Sequence, residues 1–144
     1  MTYQEWLDNI KILSSNQNNI GILEQLENEE INPAIIEMLI PKLQELITIK
    51  TNNSIKNIMN NLEMIFTDVN ELDYILVKFK KEITFINRII NLKQIPPHIQ
   101  HAIQKSFKDD INEVYGILKK EADIIDYTGS YSQIIKNNEY KWSE

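Results

Sequence analysis

The stretch MIFTDVNELDYIL, residues 64–76, decides the fold, because two local rules read it in opposite ways. Thr67 or Asp68 followed by Glu71 forms a helix N-cap with its reciprocating partner, which would end one helix there and start another. The apolar residues argue for continuity. Ile55, Ile58, Leu62, Ile65, Val69, Leu72, Leu76, Phe79, Ile83, Ile86 and Ile90 step by three and four residues in alternation straight through the stretch, and a turn would ordinarily reset that phase. The periodicity predicts one helix over 54–92, about 60 Å long at about 1.5 Å per residue. Met59, Phe66, Ile75 and Ile89 flank the seam and widen it beyond what a two-stranded coiled coil hides. That favours the spine of a multi-helix bundle over a coiled-coil dimer.

On the N-terminal side, Thr2 and Glu5 form a capping box ahead of Trp6, Ile10 and Leu13, so a first helix begins at once. A polar loop, SSNQNN, precedes a short helix through Ile22, Leu23 and Leu26 that ends in ENEE. Asn32 and Pro33 supply a cap and a first-turn proline for a third helix through Ile36, Leu39, Leu43 and Leu46. Pro41 inside it predicts a kink or a restart near Ile40, and TNNS at 51–54 predicts its end.

On the C-terminal side, KQIPPH at 93–98 stops the spine. A last long helix over about 97–126 carries Ile99, Ile103, Phe107, Ile111, Val114, Leu118, Ala122 and Ile125, with Gly116 inside it as a point of close helix packing. Past Tyr127, Thr128 and Gly129 the chain leaves the helix for an irregular aromatic tail, with one further short turn at 130–136. The expected architecture is all-α, an up-and-down bundle of five or six helices with the two longest antiparallel. It forms a single domain over 1–144, with residues 127–144 packed on it. A chain of 144 residues with 42% hydrophobic residues can build such a core, and three glycines leave few tight hairpins.

Recognisable chemistry is sparse. His98 and His101 have chelating spacing, but two ligands do not make a metal site, and no Glu-x-x-His motif or cysteine adds to them. Asp109, Asp110 and Glu113, like Glu121, Asp123 and Asp126, alternate with Lys105, Lys108, Lys119 and Lys120 and read as a solvated face with local ion pairs. No nucleophile elbow and no phosphate-cradling glycine loop occurs, so no enzyme activity, cofactor or metal is expected.

Charge is the feature that stands out. Residues 1–75 hold twelve acids against four lysines, a net −8 that leaves +2 for the rest of a chain of net charge −6. Such a balance disfavours direct nucleic-acid binding and suits a basic partner steered by a one-sided field. The chain starts without a signal peptide and has no apolar run long enough to span a bilayer, so a cytoplasmic location away from the membrane is expected.

The expected function is a small acidic interaction protein that binds and neutralises one basic protein. Its most concrete form is a bacterial toxin-immunity protein against a nuclease-type toxin. A phage-encoded inhibitor that mimics nucleic acid and a self-assembling structural helical protein are the alternatives. The expected partner surface is Glu27, Glu29, Glu30, Asp68, Glu71 and Asp73 on the acidic half, with Tyr74, Tyr140 and Trp142 as anchors, on a monomer or weak dimer. The aromatics Tyr127, Tyr131, Tyr140 and Trp142 otherwise tie the tail to the core.

Overall fold

The computed structural model describes residues 1–125 and 128–142; Asp126 and Tyr127 lie outside the described residues. The fold is an all-α helical bundle. Its helices are α1 (Tyr3–Leu13), α2 (Ile20–Glu27), α3 (Pro33–Met59), α4 (Leu62–Ile65), α5 (Val69–Ile90), α6 (Pro97–Ile125) and α7 (Ser130–Asn137). Seven helices among the described residues replace the five or six expected, because the spine over 54–92 is not one helix.

The capping signal at Asp68 is real. Its carboxylate accepts the Asn70 N–H at 2.9 Å and its carbonyl accepts the Leu72 N–H at 3.1 Å, which starts α5 at Val69. The Thr67 hydroxyl donates to the Met64 carbonyl at 2.7 Å and closes off α4. The apolar beat largely survives: Ile58, Ile65, Leu72, Leu76, Phe79, Ile83, Ile86 and Ile90 are buried, and Ile55, Leu62 and Val69 are half-buried. Two tight turns, at Asn60–Asn61 and at 66–68, redirect the backbone and keep the same residues facing inward.

The expected break at 51–54 is absent. α3 runs on to Met59 with Thr51 and Ser54 buried, since tertiary burial of that face outweighs the weak helix propensity of the polar run. Nor does a helix restart at Ile40; α3 passes through Pro41, whose ring is exposed. The further short turn expected at 130–136 is a helix of two turns, α7, within a tail expected to be otherwise irregular. Gly116 faces open space, with nothing within 4 Å of where a Cβ would stand, so it permits no close packing.

The chain divides into two compact units, Met1–Asn52 with Phe85–Ser106, and Asn53–Thr84 with Phe107–Glu144. In the first, Trp6, Leu13, Leu23, Leu26, Leu39, Leu43, Leu46, Ile89 and Ile95 form the core. Polar side chains finish the helix ends there. The buried Lys50 ammonium donates to the carbonyls of Leu13 at 2.9 Å and Ser15 at 3.2 Å, a cation at the C-terminus of α1, and lies over the Phe85 ring. Gln94 donates to Leu26 and Glu29 carbonyls at 3.2 and 2.9 Å and so closes the end of α2.

In the second unit, Leu72, Leu76 and Phe79 of α5 are buried with Ile111, Tyr115 and Leu118 of α6 and Ile135 of α7. The Tyr115 ring meets Phe79 edge-on at 5.6 Å. Its hydroxyl accepts the Tyr140 N–H at 3.2 Å and donates to the Asn138 carbonyl at 3.4 Å, holding the tail. Burial pushes that hydroxyl up to about 12, against the opposing pull of the Tyr140 N–H.

Candidate functional site

Two grooves of the second unit are lined by described residues, and both take in residues of α4. The first, of about 350 Å³, lies between α3 and α5. On α3, Ser54, Asn57 and Ile58 fall on one face, with Asn61 in the turn that follows, and on α5 Glu71, Ile75, Lys78 and Glu82 recur about one helical turn apart, so each helix contributes one face. Buried Ile58 and Phe79 make the floor. Two apolar anchors stand at the rim: Met64 is 63% exposed and Tyr74 66% exposed. The second groove, of about 840 Å³, is bounded by Met59, Leu62, Glu63, Phe66, Glu121 and Ile125, and shares Met64 with the first.

Glu63, Glu71, Glu82 and Glu121 on these walls face one cation, Lys78, a net −3. Among the described residues none of the five is held in an ion pair, so their charge is presented to solvent. Large unpaired apolar side chains beside free carboxylates can take up an apolar side chain and orient neighbouring basic groups.

The residues expected to bind a partner are distributed differently. Glu71 and Tyr74 line the first groove. Asp68 is spent on capping α5, and Asp73 accepts the Asn138 amide at 3.0 Å. Glu27, Glu29 and Glu30 belong to the other unit. Glu27 holds the Arg88 guanidinium through two bonds, one of them 3.1 Å, and that hydrogen bond raises Arg88 above its already high ordinary value. Glu29 accepts the Met1 ammonium at 3.2 Å, and Glu30 is exposed.

Tyr140 and Trp142 meet edge-on with ring centroids 4.7 Å apart, and Trp142 meets Phe107 edge-on at 5.7 Å. The indole donates to Asn112 at 3.2 Å and lies under Lys108, so the tail is bound to α6. His98 and His101 are exposed in the first turns of α6.

Sequence reasoning missed Met64, Glu63 and Glu82, and read Glu121 as part of a solvated face. Met64 did carry a signal, as an apolar residue off the seam inside a capping sequence; Glu121 carried none, being on a distant helix. No helix among the described residues is long and apolar enough to cross a membrane. Set against known proteins, the chain matches no family model, and neither a curated protein nor a solved structure is similar to it.

Proposed function

We propose that this is a binding protein that takes a basic, amphipathic segment of a partner protein into the groove between α3 and α5. The supporting observation is the pair of exposed anchors, Met64 and Tyr74, set among carboxylates that no ion pair among the described residues holds. An apolar side chain of the partner would displace water over Ile58 and Phe79, and lysines or arginines beside it would meet Glu71 and Glu82. The net charge of −6 adds long-range attraction to any basic partner. Neutralisation of a basic toxin domain of the nuclease type by an immunity protein is the concrete form of this reading.

Titration calorimetry against the product of the neighbouring gene, and against a lysine-rich amphipathic probe peptide, tests it. A one-to-one complex is expected, weakened about tenfold or more by Tyr74→Ala or Met64→Ala, as for central anchors. Glu71→Lys with Glu82→Lys should slow association and flatten its salt dependence. Unchanged affinity in all of these variants overturns the assignment of the groove.

A further inference from the structure

The polar run TNNS at 51–54 lies inside α3 with Thr51 and Ser54 both buried. A serine or threonine within a helix ordinarily turns its hydroxyl back to the carbonyl four residues earlier. Thr84 of α5 does so, donating to the Lys80 carbonyl at 2.9 Å. Ser54 is 5% exposed, yet its hydroxyl has no hydrogen-bond partner among the described residues. The hydroxyl of Thr51, three residues earlier, is also unpaired but is sealed from solvent, and Thr51 does not line the groove between α3 and α5. The Ser54 oxygen is not sealed, and Ser54 does line that groove.

An unpaired hydroxyl in a groove wall destabilises the free protein and is relieved by a ligand that bonds to it. Its neighbours define what the ligand must bring. Ile58, one turn further along α3, and Phe79 form an apolar floor. Glu71 and Glu82 on the α5 wall only accept hydrogen bonds, and neither is held in an ion pair among the described residues. A side chain with an apolar stem and a cationic head that only donates meets all three demands. A purely apolar side chain would cover the floor and leave the hydroxyl buried and unpaired. Lys78, the one cation among the described lining residues, is exposed and can keep its ammonium in water.

We infer, on the binding role proposed for this groove, that its deep contact is one long basic side chain of the partner segment, lysine or arginine, with its methylenes over Ile58 and Phe79 and its head donating to the Ser54 hydroxyl. Ser54 is then the residue that sets specificity. Met64 and Tyr74 at the rim hold basic and aliphatic anchors alike, whereas a buried group built to hydrogen-bond rejects the analogue that cannot bond to it.

Titration calorimetry with the full chain and a lysine-rich amphipathic peptide, each lysine replaced in turn by norleucine, tests the inference. At one position the replacement should weaken binding about tenfold or more, against about twofold or less elsewhere. Ser54→Ala should shrink the effect at that position about tenfold, and Thr51→Val should leave it within about twofold. Thermal unfolding separates recognition from a structural role. Ser54→Ala should melt no lower than the native chain, since alanine is the better helix residue and no hydrogen bond is lost. If no position stands out, or the special position keeps its effect in Ser54→Ala, the inference is overturned while the groove's binding role stands. A melting point several degrees lower in Ser54→Ala makes the hydroxyl a structural group and overturns it too. Failure of every peptide to bind overturns both.

Discussion

Replacing Val69 by proline should be nearly harmless, although the apolar beat of residues 55–90 taken alone makes it ruinous. Val69 is the first residue of α5, directly after the Asp68 cap. Its N–H precedes the first intrahelical donor, so proline removes no hydrogen bond there, and the extended backbone that proline imposes on the residue before it suits an N-cap. Val69 is half-buried, so trimming its branched side chain to a ring loses about 0.5 kcal/mol of burial, which the reduced freedom of the unfolded chain offsets by about 0.4–1 kcal/mol. The expected net change is within about 0.5 kcal/mol of zero.

Val77→Pro is the control. Val77 lies two turns into α5 and is 38% exposed, so its side chain matters little, but a mid-helix proline breaks a backbone bond and clashes, at about 3 kcal/mol or more. In urea unfolding followed by far-ultraviolet dichroism, with a slope of about 2 kcal/mol per molar, Val77→Pro should lower the midpoint by about 1.5 M and Val69→Pro by less than about 0.3 M. Equal losses for the two variants would refute the break at Asp68 and restore a continuous helix.

Gly116→Ala should stabilise α6 by about 0.5–1 kcal/mol, because the methyl group enters open space and the glycine entropy cost is removed; a thermal midpoint higher by about 2–4 °C is the readout. Tyr115→Phe should cost about 1 kcal/mol at pH 8 by leaving the Tyr140 N–H unpaired. The Tyr115 hydroxyl titrates near 10 in the unfolded chain and at about 12 in the folded one, so its contribution is complete below pH 10 and is lost as pH rises through 12. That loss amounts to about 2–3 kcal/mol, and urea midpoints should show the phenylalanine variant overtaking the native protein at about pH 10.7. Lys50→Met should destabilise by about 1–3 kcal/mol, measured in urea, through loss of the bonds to the Leu13 and Ser15 carbonyls; a neutral result would show that α1 needs no cation at its end.

The sequence by itself determined which residues point inward. The capping box at Thr2, the Asn32–Pro33 start, the proline stop before α6 and the three-four beat from Ile58 to Ile90 all report on one or two turns of helix, and each survives in the structure. The error over 54–92 came from asking the beat for something it does not encode. Periodicity says which side of the chain is buried, and two short turns can preserve that side while the backbone changes direction; the hydrogen bonds of Asp68 decide continuity.

Tertiary structure decided the rest. Thr51 and Ser54 read locally as a helix end, yet they lie on a buried face of α3. Glu27 read as a free carboxylate until Arg88, sixty-one residues away, claimed it. The groove needed α3, α4 and α5 in their folded places before Met64, Tyr74 and Glu82 could share a rim. Caps and periodicities are properties of neighbours along the chain, whereas burial, pairing and concavity depend on which distant surfaces exclude water from each other, and that is settled only when the whole core forms.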